Sequence, residues 1–163
     1  MSAMKTIVNV GIADTKTVHA PDTIRTLGLG SCIGTVLYDE RQGIAGLSHV
    51  LLPDSGQAKA GTINPMKYAD TAIPQLIEML LELGAVSIKA KMAGGAQMFQ
   101  VGKGTSFMRI GDKNIEAVQE ALRKSNIKIV SSDVGGNLGR TIEFDPVTSK
   151  LSVRKRNHDI FTI

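Results

Sequence analysis

The chain contains one cysteine and three histidines, and one pairing among them has the makings of covalent acyl chemistry. Cys32 ends the stretch Thr26-Leu27-Gly28-Leu29-Gly30-Ser31-Cys32, and His49 follows beyond a short polar turn. A thiol becomes an effective nucleophile when a neighbouring base takes its proton. An imidazole is such a base, and the sulfur then attacks a carbonyl carbon. Glycines at 28, 30 and 34 let backbone N–H groups approach a ligand unobstructed. The N–H groups of Gly30, Ser31 and Cys32 are therefore candidates for holding the oxyanion that such an attack creates. The competing reading makes the free cysteine a small buried hydrophobe and the histidine a structural strand residue.

Two strands must position the pair. Cys32 to Tyr38 and Ile44 to Leu52 are rich in strand formers, and Asp39-Glu40-Arg41-Gln42-Gly43 between them has the polarity and final glycine of a hairpin turn. With Asp39 to Gln42 as the loop, Tyr38 faces Gly43 and Cys32 directly faces His49. Opposed residues hold their Cβ atoms about 4.5–5.5 Å apart, within reach of a thiol–imidazole hydrogen bond. A bulge would spoil this register.

The remaining chain alternates strands and helices. Lys5 to Gly11 reads as an opening strand. Asn64 and Pro65 suit a helix start, and Met66, Ala69, Ile73, Leu76, Leu80 and Leu83 form an apolar stripe that ends at Gly84. Pro74 falls inside that helix and is expected to kink it or remove a hydrogen bond. Val86 to Met92 reads as a strand, and Asp112 to Lys124 as a helix burying Ile115, Val118 and Leu122. Ile127 to Ser131 is another strand, and a hairpin joins Thr141–Phe144 to Lys150–Arg154. The basic run Arg154-Lys155-Arg156-Asn157-His158 reads as a solvated strand end.

Two further glycine-rich stretches, Ala93 to Phe99 and Asp133 to Arg140, lack the lysine and hydroxyl residue of a phosphate loop and lack the dinucleotide fingerprint. They suit the lining of a cleft or a docking surface. Met98 and Phe99 could face a partner helix or fill the core.

At 163 residues, 42% hydrophobic and 21% charged, the chain has the size and composition of one globular domain, 1–163. Aromatics are scarce at 4%, so Ile, Leu, Val, Met and Ala must build the core. One cysteine rules out an internal disulfide and a cysteine-rich metal site. No apolar run has the form of a signal peptide or the length of a membrane span, so a cytoplasmic location without membrane insertion is expected. The net charge of +4 comes from scattered basic residues, which favours an acidic protein partner over nucleic acid.

The stretches Thr26 to Cys32 and Gly46 to Ser55 together resemble the chemoreceptor glutamine deamidase family, CheD. So do Gly94 to Phe99, Ile110-Gly111 with Asn114, and Asp133 to Gly136 with Gly139-Arg140. The resemblance spans almost the whole chain. It implies an α/β fold, a single-domain layered sandwich of mixed sheets with flanking helices, similar at the site to bacterial toxin deamidases. It implies hydrolysis of particular glutamine side chains on methyl-accepting chemotaxis receptors to glutamate, in bacterial or archaeal chemotaxis. The catalytic set it implies falls on Cys32, His49 and Thr26, with no cofactor and no metal. Thr26 would orient His49 through its hydroxyl or its backbone carbonyl. The implied partners are the cytoplasmic helical domains of the receptors and a CheC-type response-regulator phosphatase. The alternative is that the protein acts mainly as an adaptor for that phosphatase.

Overall fold

A computed structural model describes residues 5–58, 63–97 and 109–163. Among the described residues ten strands form two mixed five-stranded sheets. The outer sheet runs β1 (Ile7–Val10), β3 (Thr23–Leu29), β8 (Arg140–Asp145), β9 (Lys150–Lys155) and β10 (Ile160–Thr162). The central sheet runs β2 (Thr15–His19), β5 (Ile44–Val50), β4 (Ile33–Asp39), β6 (Lys89–Gly94) and β7 (Lys128–Val134). Two helices, α1 (Ala69–Glu82) and α2 (Ile110–Lys124), cover the far face of the central sheet. The expected layered α/β sandwich with mixed sheets and flanking helices is the architecture found.

Burial follows from this stacking. Every residue of β4 and β5 is buried, as strands covered on both faces must be. Strands β8 and β9 alternate buried and accessible residues, because only one face of the outer sheet meets the core. One apolar cluster, with Ile24, Leu29, Val36, Leu47, Ile142 and Phe144, lies between the sheets. A second, with Ile33, Leu37, Ile73, Leu76, Leu80, Val118 and Leu122, lies between the central sheet and the helices.

Several elements depart from the sequence reading. Asn64 does cap a turn, accepting the Met66 N–H at 3.0 Å, but that turn is a single 3-10 turn over Pro65–Lys67. Tyr68 is extended, because the chain here hydrogen-bonds the residues after β5, Leu51 and Leu52 to Lys67 and Ala69 to Leu52. The helix proper starts at Ala69, holds Pro74 internally, and its buried stripe ends at Leu80, with Leu83 accessible. The strand expected from Val86 starts at Lys89, since Val86 and Ser87 spend their N–H groups on the Asp39 carboxylate. Strands β2, β3 and β10 had no counterpart in the sequence reading. The stretch after Thr26 read as a turn because of its glycines, yet Thr26 to Leu29 complete β3 through a bulge around Leu27 and Gly28.

Candidate active site

The β4–β5 hairpin places Cys32 and His49 near one end of the same face, though not in the expected register. The expected thiol–imidazole hydrogen bond is not formed: Nδ1 bonds Thr26 and Nε2 meets no partner among the described residues. Gly34, not Cys32, is directly opposite His49, and Asp39 pairs with Ile44, so the loop is residues 40–43. The reason lies at Asp39. One carboxylate oxygen accepts the Arg41 and Gln42 N–H groups, at 3.1 and 3.2 Å, and so holds Asp39 at the strand end rather than in the loop. The register moves by two residues, and strand side chains repeat with period two, so both residues keep the face they were assigned. That face is the one between the sheets, where Cys32 joins the core cluster with Val36, Ala45 and Leu47. Cys32 precedes the first residue of β4 and is the diagonal neighbour of His49, a relation that places Cα atoms about 7–8 Å apart and within reach of a long side chain.

Gly34 has a structural task here rather than the ligand-facing one expected of it. A Cβ at Gly34 would meet Ile142 Cδ1 at 2.6 Å and Leu29 Cδ1 at 3.0 Å, both from the outer sheet. The missing side chain lets the two sheets close on each other beside His49.

Across this narrow gap, Thr26 of the outer sheet reaches His49 of the central sheet, with Oγ1 2.7 Å from Nδ1. The same hydroxyl donates to the Val10 carbonyl at 2.7 Å. A hydroxyl has one proton. A carbonyl can only accept, so that proton belongs to Val10, and Thr26 Oγ1 must accept from His49 Nδ1–H. The neutral ring then carries its lone pair on Nε2. That atom is buried and has no hydrogen-bond partner among the described residues. The side-chain hydroxyl of Thr26, not its carbonyl, is thus the contact to the ring.

Burial lowers the His49 pKa from its ordinary 6.5 to about 4. Burial also pushes the Cys32 thiol up, only partly opposed by its own backbone N–H. Both groups are therefore neutral at rest. A neutral imidazole with a free Nε2 is a base waiting for a proton.

The turn carrying Cys32 is tied down through its carbonyls. Gly30 O accepts from Ala96 N at 2.8 Å, Cys32 O from Gly95 N at 2.9 Å, and Ser31 O from Asn114 Nδ2 at 2.9 Å. Outside the strand ladders the Gly30 and Ser31 N–H groups donate to no backbone carbonyl among the described residues, and the Cys32 N–H faces its own thiol. Gly94, at φ +114°, must be glycine because a Cβ there would strike the Cys32 carbonyl oxygen. Gly111 must be small for a similar reason, since its Cβ would meet Gly95 O at 2.5 Å. Arg140, almost fully buried, secures the Gly94–Gly95 corner by donating to Gly94 O and Gly135 O while pairing with Asp133 at 2.9 Å. The scattered glycine motifs of the sequence therefore converge on one turn.

Asn114 is the contributor whose role sequence reasoning missed. It is fully buried on α2, and its Nδ2 donates both to Ser31 O and to Leu51 O at 3.0 Å. It thereby staples the turn before Cys32 to the end of the strand bearing His49. Its sequence signals were its place in the motif with Ile110-Gly111 and a polar residue at a helix position one turn before buried Val118, neither of which says what it bonds. Met98 and Phe99 lie outside the described residues. No group of three metal-ligating side chains occurs among the described residues, and no helix there is long and apolar enough to cross a membrane.

Fold and site define a class: an α/β sandwich with a buried thiol, imidazole and hydroxyl supplied by two facing sheets. Comparison with known proteins gives the family. The family described as CheD chemotactic sensory transduction matches residues 51–155. The probable chemoreceptor glutamine deamidase CheD of Oceanobacillus iheyensis is 59% identical over 160 residues, 97% of this chain and 96% of that protein. The chemoreceptor glutamine deamidases CheD of Halalkalibacterium halodurans and Bacillus subtilis are 52% and 50% identical, covering 93% and 91% of this chain and 94% and 90% of their own. This chain belongs to the CheD family. The segment matched by the family model begins after His49, so Thr26, Cys32 and His49 fall within the relatives' alignments alone.

Proposed function

We propose that this protein is a chemoreceptor glutamine deamidase in which Cys32, His49 and Thr26 carry the reaction. His49 Nε2 takes the Cys32 thiol proton as the sulfur attacks the glutamine carboxamide carbon. The N–H groups of Cys32, Ser31 and Gly30 receive the oxyanion of the tetrahedral intermediate. The imidazolium, which Thr26 Oγ1 holds through Nδ1–H, then gives its proton to the departing nitrogen. Ammonia leaves and a Cys32 thioester remains. Water, deprotonated by the same Nε2, cleaves the thioester to glutamate and restores the thiol. The observation that carries this reading is the unpartnered Nε2 of a ring whose other nitrogen donates to Thr26. The names of the relatives support the substrate class.

The test is mass spectrometry of a receptor cytoplasmic fragment incubated with the protein, reading amide-to-acid conversion at glutamine. Conversion by the wild type and none by Cys32→Ala is expected. Full conversion by Cys32→Ala would overturn the covalent thiol mechanism, and no conversion by either protein would overturn the deamidase reading in favour of an adaptor.

A further inference from the structure

A cleft of about 460 Å³ opens beside the bulge of β3. Its floor is formed by Gly28 and Gly30, and its wall by Arg140, Arg154, Arg156 and His158. Gly30 is two residues from Cys32, so the cleft and the thiol share one turn. The wall is built from the basic run that read as a solvated strand end. Arg156 N–H donates to the Gly139 carbonyl at 2.9 Å, which fixes the segment after β9 over the cleft.

The charge there is unbalanced. Asp133, the nearest buried-side carboxylate, is already shared by Arg140 at 2.9 Å and Lys155 at 3.6 Å. Asp159 is engaged by Asn157 within its own turn. The Arg154 and Arg156 guanidinium groups are exposed and form no ion pair among the described residues. Gly28, at φ +70°, has nothing within 4 Å of the Cβ it lacks, and neighbouring Leu27 is 56% exposed. Two guanidinium forks without an acidic partner among the described residues, lining one cleft, fit a protein segment that carries carboxylates.

We propose that this cleft docks an acidic segment of the protein substrate next to the target glutamine. The proposal rests on the deamidase reading above. A segment seated on Gly30 lies on the turn that carries Cys32, two residues on, which is why a protein substrate, and not a nucleic acid, is the occupant the position favours. The cleft would select receptors by charge while the thiol turn performs the chemistry.

The experiment measures deamidation kinetics of a receptor cytoplasmic fragment by the wild type and by Arg154→Glu/Arg156→Glu. We expect KM to rise roughly tenfold with kcat nearly unchanged, as two exposed ion pairs allow, and the dependence of kcat/KM on salt to flatten. Replacing by serine the carboxylates next to the target glutamine should cost the wild type the same factor and cost the variant little. Equal KM and equal salt dependence in both proteins would overturn the cleft proposal and leave the deamidase reading standing. Loss of binding to a DNA oligonucleotide with receptor KM unchanged would overturn it too, assigning the patch to nucleic acid. Absence of turnover by the wild type would overturn both.

Discussion

At the Asp39 end of β4 a buried carboxylate is fully served, whereas toward the Cys32 end three buried polar atoms, Thr35 Oγ1, His49 Nε2 and Asn114 Oδ1, meet no partner among the described residues. Asp39 Oδ1 accepts from Arg41 and Gln42, and Oδ2 accepts from Val86 and Ser87 at 2.7 and 3.0 Å. Burial alone would raise its carboxyl, but the four N–H donors outweigh burial and hold it below the usual carboxylate range. Around the other end of the strand, His49 Nε2, Asn114 Oδ1 and Thr35 Oγ1 are buried and unsatisfied among the described residues. Each such atom costs about 1–3 kcal/mol. One strand thus ends in a satisfied polar fastening and begins beside unsatisfied polar atoms, of which the proposed reaction uses His49 Nε2.

The largest effect is expected at the open end. Cys32→Ala should lower deamidation at least ~10³-fold by removing a covalent nucleophile, while the thermal midpoint moves only a little. A collapse of the fold in this variant would make Cys32 a fastening like Asp39. At the closed end the pattern should invert. Asp39→Ala should cost roughly 3 kcal/mol in urea unfolding, since it strands buried N–H groups that a charged acceptor had satisfied, yet the folded fraction should deamidate at the wild-type rate. Rate loss in proportion exceeding unfolding would break the comparison.

Between these lies the acid behaviour of His49. The unfolded ring binds its proton at an ordinary 6.5 and the folded one only at about 4. As pH falls through that interval the unfolded state gains a proton the folded state refuses, so stability is present above 6.5 and is lost toward 4. The loss is on the order of 3 kcal/mol. Denaturant titrations across this range should show the slope in the wild type and not in His49→Gln. Asp39 acts lower on the scale, its contribution being lost as pH falls from the ordinary carboxylate value toward its depressed native one. The smallest effect belongs to Thr26→Val. It should lower kcat about 10–100-fold, the usual cost of losing an orienting partner, and Thr26→Ser should restore most of it. Imidazole ¹⁵N spectra should show the Nδ1–H tautomer in the wild type and a mixture in Thr26→Val. An Nε2–H tautomer in the wild type would refute the proton assignment.

Much of the site was legible before any tertiary contact was known. The apolar runs of β4 and β5 and the polar turn between them marked a hairpin, and period two placed Cys32 and His49 on one face. That reading survived a two-residue register error, because an even shift does not change faces. The error arose because Asp39 resembles a loop residue until the N–H groups of Val86 and Ser87, nearly fifty positions later, are seen to need it. Glycine content misled similarly at Thr26–Leu29, where a bulged strand passed for a turn. Asn114 was quoted in a motif, but its double bond to Ser31 and Leu51 joins segments separated by 83 and 63 positions. No local pattern encodes that.

Residue types, the strand and helix periods and the faces those periods serve were readable along the chain, because residue type and local periodicity are properties of neighbours in sequence. Which ring nitrogen of His49 carries the proton, how far burial moves its affinity for another, and that a basic strand end lines a cleft with Gly28 and Gly30 are set by contacts distant in sequence. Those depend on the approach of two sheets, permitted by the missing side chain of Gly34, and electrostatics is set by what surrounds a group in space.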